Sequence, residues 1–226
     1  MPISLKNHED AIVHCRLCPR LVSWREEIAQ TKRKAYKDLA YWGKPVPGFG
    51  DIQGEVLVVG LAPGAHGSNR TGRMFTGDAS GEFLYPALFK AGFANQPSSE
   101  KIDDGLTLSN LFITAVCRCV PPDNKPTNQE KKTCSPFLFW EIEAMQNLKV
   151  VVTLGAIAHD SILVHFSTKA GYKLQIPFSH NRSTYLDRLG IWLISSYHPS
   201  RQNTQTGKLT IAMFDSVWNQ VKTKLS

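Results

Sequence analysis

The stretch VLVVGLAPG, residues 56–64, opens with seven consecutive non-polar residues and stops at Pro63 and Gly64. A valine-rich run without polar alternation is the pattern of a strand buried on both faces, which is the usual situation in a parallel sheet. Working outward, LFITAV at 111–116, VVVTL at 150–154 and IWLISSY at 191–197 repeat it. Segments at 79–92, 128–147, 156–167 and 208–224 can be helical. Strands alternating with helices predict an α/β chain whose mostly parallel, four-stranded sheet is covered by helices on both faces. Pro86 is expected to kink or shorten the first helix.

Ahead of this core, at 55–226, lies a polar and basic N-terminal segment, 1–54. It is expected to be helical over 7–34 and then to wrap the surface through WGKPVPGFGDIQG, 42–54, which holds too many glycines and prolines for a helix or a central strand. The whole chain reads as one domain with a helical appendage. No apolar stretch reaches the roughly 18 residues of a membrane span, and MPISLKNHED lacks the apolar centre of a signal peptide, so the expectation is a cytoplasmic protein without a membrane partner. The 26 Lys and Arg against 19 Asp and Glu leave a charge of +7, a weak pointer to a polyanion.

In open α/β sheets ligands sit beyond the carboxyl ends of the strands, so the loops that follow them carry the chemistry. Three are polar: residues 62–81 with Arg70 and Arg73, residues 117–134, and residues 198–208. The first contains neither GxxxxGK[ST] nor GxGxxG, which removes support for nucleotide hydrolysis or dinucleotide binding.

Five cysteines are too few for a disulfide scaffold, and their number is odd. Cys15 and Cys18 form C-x2-C, and with Cys119 and Cys134 they make a set of four that can ligate zinc or an iron–sulfur cluster, or can be buried free thiols. Spacing alone does not choose. Cys117 is the odd one out of the five.

Three motifs in order, GLAPGAHGSNRTGRMFTGDASG (60–81), CVPPDNKPTNQE (119–130) and YHPSRQNTQTGKLT (197–210), resemble the uracil-DNA glycosylase superfamily, and within it the iron–sulfur family 5 branch. The resemblance implies a three-layer α/β/α sandwich around a four-stranded parallel sheet. It also implies a 4Fe-4S cluster on Cys15, Cys18, Cys119 and Cys134, with zinc the alternative. The implied activity is excision of uracil, and of other deaminated bases such as hypoxanthine or xanthine, from DNA by a monomer. The related family 4 branch has an acidic residue after the first glycine of the first motif and an asparagine at the end of the second strand. Here those positions are Leu61 and Ala115, so the catalytic residues must lie elsewhere.

Cleaving a base from deoxyribose needs an extruded nucleotide, a stabilised sugar cation and a stabilised leaving base. Asp78 is the first acid after the first strand, suited to orienting water, although Asp at that junction also caps helices. Phe75 offers a stacking face, or is an ordinary core aromatic. His198, after the fourth strand, can donate to a uracil carbonyl. Asn124 can read a pyrimidine edge or belong to a turn. Ala62, Gly64 and His66 are expected to line the base pocket. Arg70, Arg73, Arg201, Gln202, Asn203 and Lys208 are expected on the DNA, with Arg201 or a neighbour filling the space the base leaves. No lysine stands out as a Schiff-base nucleophile, so a hydrolytic enzyme leaving an abasic site is expected. The competing reading is a non-catalytic iron–sulfur module of the same fold that binds DNA or senses redox state.

Overall fold

A computed structural model describes residues 4–226; residues 1–3, the start of the expected N-terminal segment, lie outside it. The segment expected to be helical over 7–34 is two helices, α1 (Leu5–Val13) and α2 (Pro19–Thr31), followed by a single 3-10 turn at Lys34–Tyr36. Pro19 makes the break. A residue before proline is pushed out of the helical region, and Cys18 accordingly sits at φ −115°, ψ 90°. That break turns the C-x2-C into an extended corner.

Next come β1 (Phe49–Gly50), β2 (Val56–Gly60), the short α3 (Ser68–Thr71), α4 (Ala79–Ala91) and β3 (Leu111–Ala115). They are followed by α5 (Asn128–Ala144), β4 (Val150–Leu154), α6 (Ala156–Ala170), β5 (Arg182–Leu186), β6 (Ile191–Ser196), α7 (Arg201–Gln205) and α8 (Ile211–Leu225). α4 keeps its full length through Pro86, contrary to expectation. Pro86 is exposed, so the carbonyl it leaves without an N–H partner, that of Glu82, faces solvent instead of a dry core. α5 starts with a capping box in which Thr127 and Glu130 satisfy each other's backbone amides.

The sheet order is β1-β3-β2-β4-β6-β5. The four central strands are parallel, as the apolar runs indicated, and in register, with Val58 opposite both Ile113 and Val152. Two antiparallel edge strands extend the expected four: β1, inside the Gly/Pro stretch, and β5.

Alternate residues of each central strand feed opposite cores. Val56, Val58, Ile113, Val152 and Ile194 pack under α4 and α8 with Leu84, Phe214 and Trp218. Leu57, Val59, Phe112, Val151 and Leu193 pack under α5 and α6 with Leu138, Ile162 and Phe166. Each such side chain, fully buried, contributes about 1.5–3 kcal/mol. This is the helix-covered sandwich, and it fixes the carboxyl ends of four strands on one rim. Among the described residues no helix is long and apolar enough to cross a membrane.

Candidate active site at the carboxyl ends of the strands

Chain connections run from β2 to β3 on one side, then back past β2 to β4 on the other. The crevice therefore opens between β2 and β4, where the order reverses. The loop after β2, the start of α6 after β4 and the loop after β6 meet there. Gly155 N donates to the Ser196 carbonyl at 2.8 Å, joining the last two.

Asp78 is the N-cap of α4: its Oδ1 accepts from Ser80 N at 3.0 Å and Gly81 N at 3.2 Å. The capping role and a chemical role do not compete, because Oδ2 turns the other way, against the turn at Gly64 and Gly67. A methyl group on Gly67 would lie 1.9 Å from Oδ2, so only glycine leaves the carboxylate its place. Burial pushes the Asp78 carboxyl above the ordinary range, opposed by the Gly81 and Ser80 amides.

Phe75 sits three residues earlier at φ +53°, in the left-handed region that non-glycine residues avoid. Its ring lies over the end of β2, where a side chain at Gly60 would come within 2.8 Å of it. It stacks with His198, ring centroids 5.9 Å apart at 29°. Phe75 is thus both core and site lining. Asn203 Nδ2 donates to the His198 carbonyl at 2.8 Å and holds the backbone, while neither ring nitrogen makes a hydrogen bond among the described residues. Burial pushes the His198 imidazole down to about 4, so it is neutral at physiological pH. A neutral donor beside an aromatic face and a capped carboxylate can hold a planar base and meet negative charge on it.

The two arginines of the first motif do not face outward. Arg73 is 3% exposed and makes a bidentate pair with Asp104, 2.9 and 2.7 Å, with further bonds to Thr76 and Ser99. Arg73 holds the Asp104 carboxyl well below the ordinary range. Removing one member of such a buried pair costs about 3–5 kcal/mol. Arg70 donates to the carbonyls of His66 (2.7 Å) and Gly77 (2.9 Å). The expectation of phosphate contacts is corrected for Arg73, whose guanidinium is spent inside the fold. Arg70 likewise braces the loop that presents Asp78.

His66 Nδ1 meets the Tyr41 hydroxyl at 3.0 Å, a partner with no signal in the sequence. Ala62 and Gly64 lie half-buried on the same loop. Asn124 is exposed at φ +56°, the turn geometry its prolines suggest, and its side chain makes no hydrogen bond among the described residues. Arg201, Gln202 and Lys208 are exposed, and Lys208 Nζ lies 5.0 Å from the Tyr197 ring. Ala115, at the end of β3, is 1% exposed and brings no polar group to the crevice.

No three His, Cys, Asp or Glu side chains among the described residues converge as a ready metal site. The four expected thiols nonetheless line one hollow, with Leu17, Arg118 and Phe137 around them. Cys117 does not line it and packs in the core beneath α5. Arg25, 2% exposed, donates to Cys119 Sγ at 3.0 Å and to the Cys15 carbonyl at 3.2 Å. The Arg118 amide donates to Cys134 Sγ at 3.3 Å. Arg25 Nε, Arg118 Nε and Arg118 Nη1 are buried without partners. Both guanidiniums already have a carboxylate, Arg118 that of Glu141 and Arg25 that of Glu26 at 3.7 Å, but these remaining buried N–H groups beside four thiols fit an anionic thiolate-bound group. Nothing in the sequence marked these two arginines.

The Uracil DNA glycosylase superfamily matches residues 47–222. A type-5 uracil-DNA glycosylase of Thermus thermophilus is 50% identical over 208 residues, 92% of each chain. One of Mycobacterium leprae is 49% identical over 209 residues, 92% of this chain and 90% of that one. One of Pyrobaculum aerophilum is 43% identical over 201 residues, covering 88% and 84%.

Proposed function

The chain belongs to the uracil DNA glycosylase superfamily, and from that premise we propose that it excises uracil from DNA at the β2–β4 crevice, leaving an abasic site. The observation that carries the assignment of residues is the second oxygen of Asp78, free of the helix cap and facing the Gly64–Gly67 turn, on the same loop that carries Phe75 to its stack with His198.

In this reading the flipped uracil stacks on Phe75, with Ala62, Gly64 and His66 around it. As the glycosidic bond breaks, the bonding pair leaves with the base, and an N–H of neutral His198 meets the charge on a uracil carbonyl. Asp78 offsets positive charge on the sugar and directs water to C1′, taking the water proton at Oδ2. Arg201, Gln202, Asn203 and Lys208 hold the strand beside the lesion. Asn124 would take part only if its turn moves toward the base. Hypoxanthine and xanthine fit the same stacking surface, and the enzyme is read as a cytoplasmic monomer. A labelled duplex with one uracil should break after hot alkali in an enzyme-dependent way, and a thymine control should not. Breakage without alkali would contradict the hydrolytic reading.

Cys15, Cys18, Cys119 and Cys134 are read as holding a 4Fe-4S cluster; when bound, the group would cross-link the α1–α2 corner to the loop after β3 and to α5. Arg25 and Arg118 are supporting donors. Purified protein is expected to be brown with about four iron atoms per chain, and Cys119→Ser to lose iron and melt at lower temperature. Colourless protein carrying one zinc would overturn this assignment and favour the alternative metal.

A further inference from the structure

The segment TKRKAYK, residues 31–37, carries four basic residues from the end of α2 through the 3-10 turn. Arg33, Lys34 and Lys37 are exposed, and none of them has an ion-pair partner among the described residues. The segment is closed on itself: Lys32 sits at φ +50°, and its Nζ donates to the Lys37 carbonyl at 3.3 Å. Lys32 is thus engaged by the loop's own backbone, which leaves three exposed cations, Arg33, Lys34 and Lys37.

Two tyrosines fasten this loop to the rim of the candidate site. The Arg70 guanidinium stacks on the Tyr36 ring at 4.2 Å, and Arg70 in turn holds the carbonyl of Gly77, next to Asp78. The Tyr41 hydroxyl contacts His66 Nδ1 at 3.0 Å and accepts from Arg33 N at 3.5 Å. The charge reaches the site: His66 is lowered first by burial, then by Arg33 and Arg70. Meanwhile Arg73, one of the two arginines of the first motif expected on phosphate, is buried on Asp104.

We propose that Arg33, Lys34 and Lys37 form a phosphate-contacting surface that grips the backbone of the DNA substrate beside the crevice, taking the place of Arg73. The proposal rests on the glycosylase reading only for the identity of the polyanion. Its chemistry is that of flexible cations on phosphate oxygens, so it adds affinity without sequence preference.

The test titrates full-length protein with a fluorescent duplex of ordinary sequence at several salt concentrations, comparing wild type with R33Q/K34Q/K37Q. Each lost phosphate contact should flatten the slope of log K against log salt by about 0.9, so the triple variant should lose roughly 2 to 3 in slope. Its affinity at low salt should fall by more than tenfold, while Lys222→Gln, near the opposite end of the sheet on α8, should bind as wild type does. Melting temperatures check that the exposed substitutions leave the fold intact. An unchanged slope and affinity would overturn the proposal and leave a merely solvated loop. Uracil excision by wild type is measured in the same samples. A flattened slope with no excision would sink the glycosylase reading and keep this surface, and excision with an unchanged slope would do the reverse.

Discussion

Asp78→Asn should lower single-turnover excision of uracil by about 10²–10⁴-fold, the range typical for loss of a positioned acid–base group, while duplex binding is no weaker. The substitution separates charge from architecture. Asparagine is as good an N-cap as aspartate, and its carbonyl oxygen can still accept from Ser80 and Gly81, so α4 keeps its start. What is lost is the negative charge at Oδ2. Gly67→Ala reaches the same atom from the other side, since its methyl would fall 1.9 Å from Oδ2 and must displace the carboxylate. It should reproduce the loss with Asp78 intact. If Asp78→Asn retained full turnover, the carboxylate would be a cap and nothing more.

The second large effect is expected at His198. His198→Gln should cost about 10²–10³ in rate, as for removal of one preorganised donor to a developing anion. Unlike Asp78→Asn, it should also reveal a stability difference with a definite sign. The folded imidazole titrates at about 4, below its ordinary 6.5. As pH falls, the unfolded chain takes up the proton first, so this group's contribution to stability is full above about 6.5 and is lost between about 6.5 and 4. Thermal melts over that window should fall less steeply for the Gln variant than for wild type. Equal slopes would mean that His198 is not buried in its neutral form.

How much of this could be read from the chain follows from burial. The four central strands are legible because both of their faces are covered, which leaves 56–60, 111–115, 150–154 and 191–196 without a charged residue and with only Thr114, Thr153, Ser195 and Ser196 as polar ones. β5 has no such signature: RSTYL is polar and mostly exposed or half-exposed, and it pairs only because β6 offers an edge. β1 is two residues long and owes its place to β3. Of the candidate site, what the sequence shows is position in the topology, which puts Asp78, Phe75 and His198 on loops after strands. The site was not legible where a partner decides. Arg73 looks like a phosphate ligand until Asp104, 31 residues away, is brought against it. Arg25 looks like an ordinary surface cation beside Glu26 and Glu27 until it meets Cys119.

The most direct test of an ionised Asp78 working with a neutral His198 is the pH dependence of single-turnover uracil excision by wild type, from about pH 4.5 to about pH 9. The predicted profile is flat through neutrality, with no inflection near 6.5. It declines on the acid side as Asp78, raised by burial, takes up a proton, and that decline should disappear from the residual activity of Asp78→Asn. A rate that rises as pH drops through about 6.5, and loses that rise in His198→Gln, would mean that the histidine works as a cation and would contradict the account.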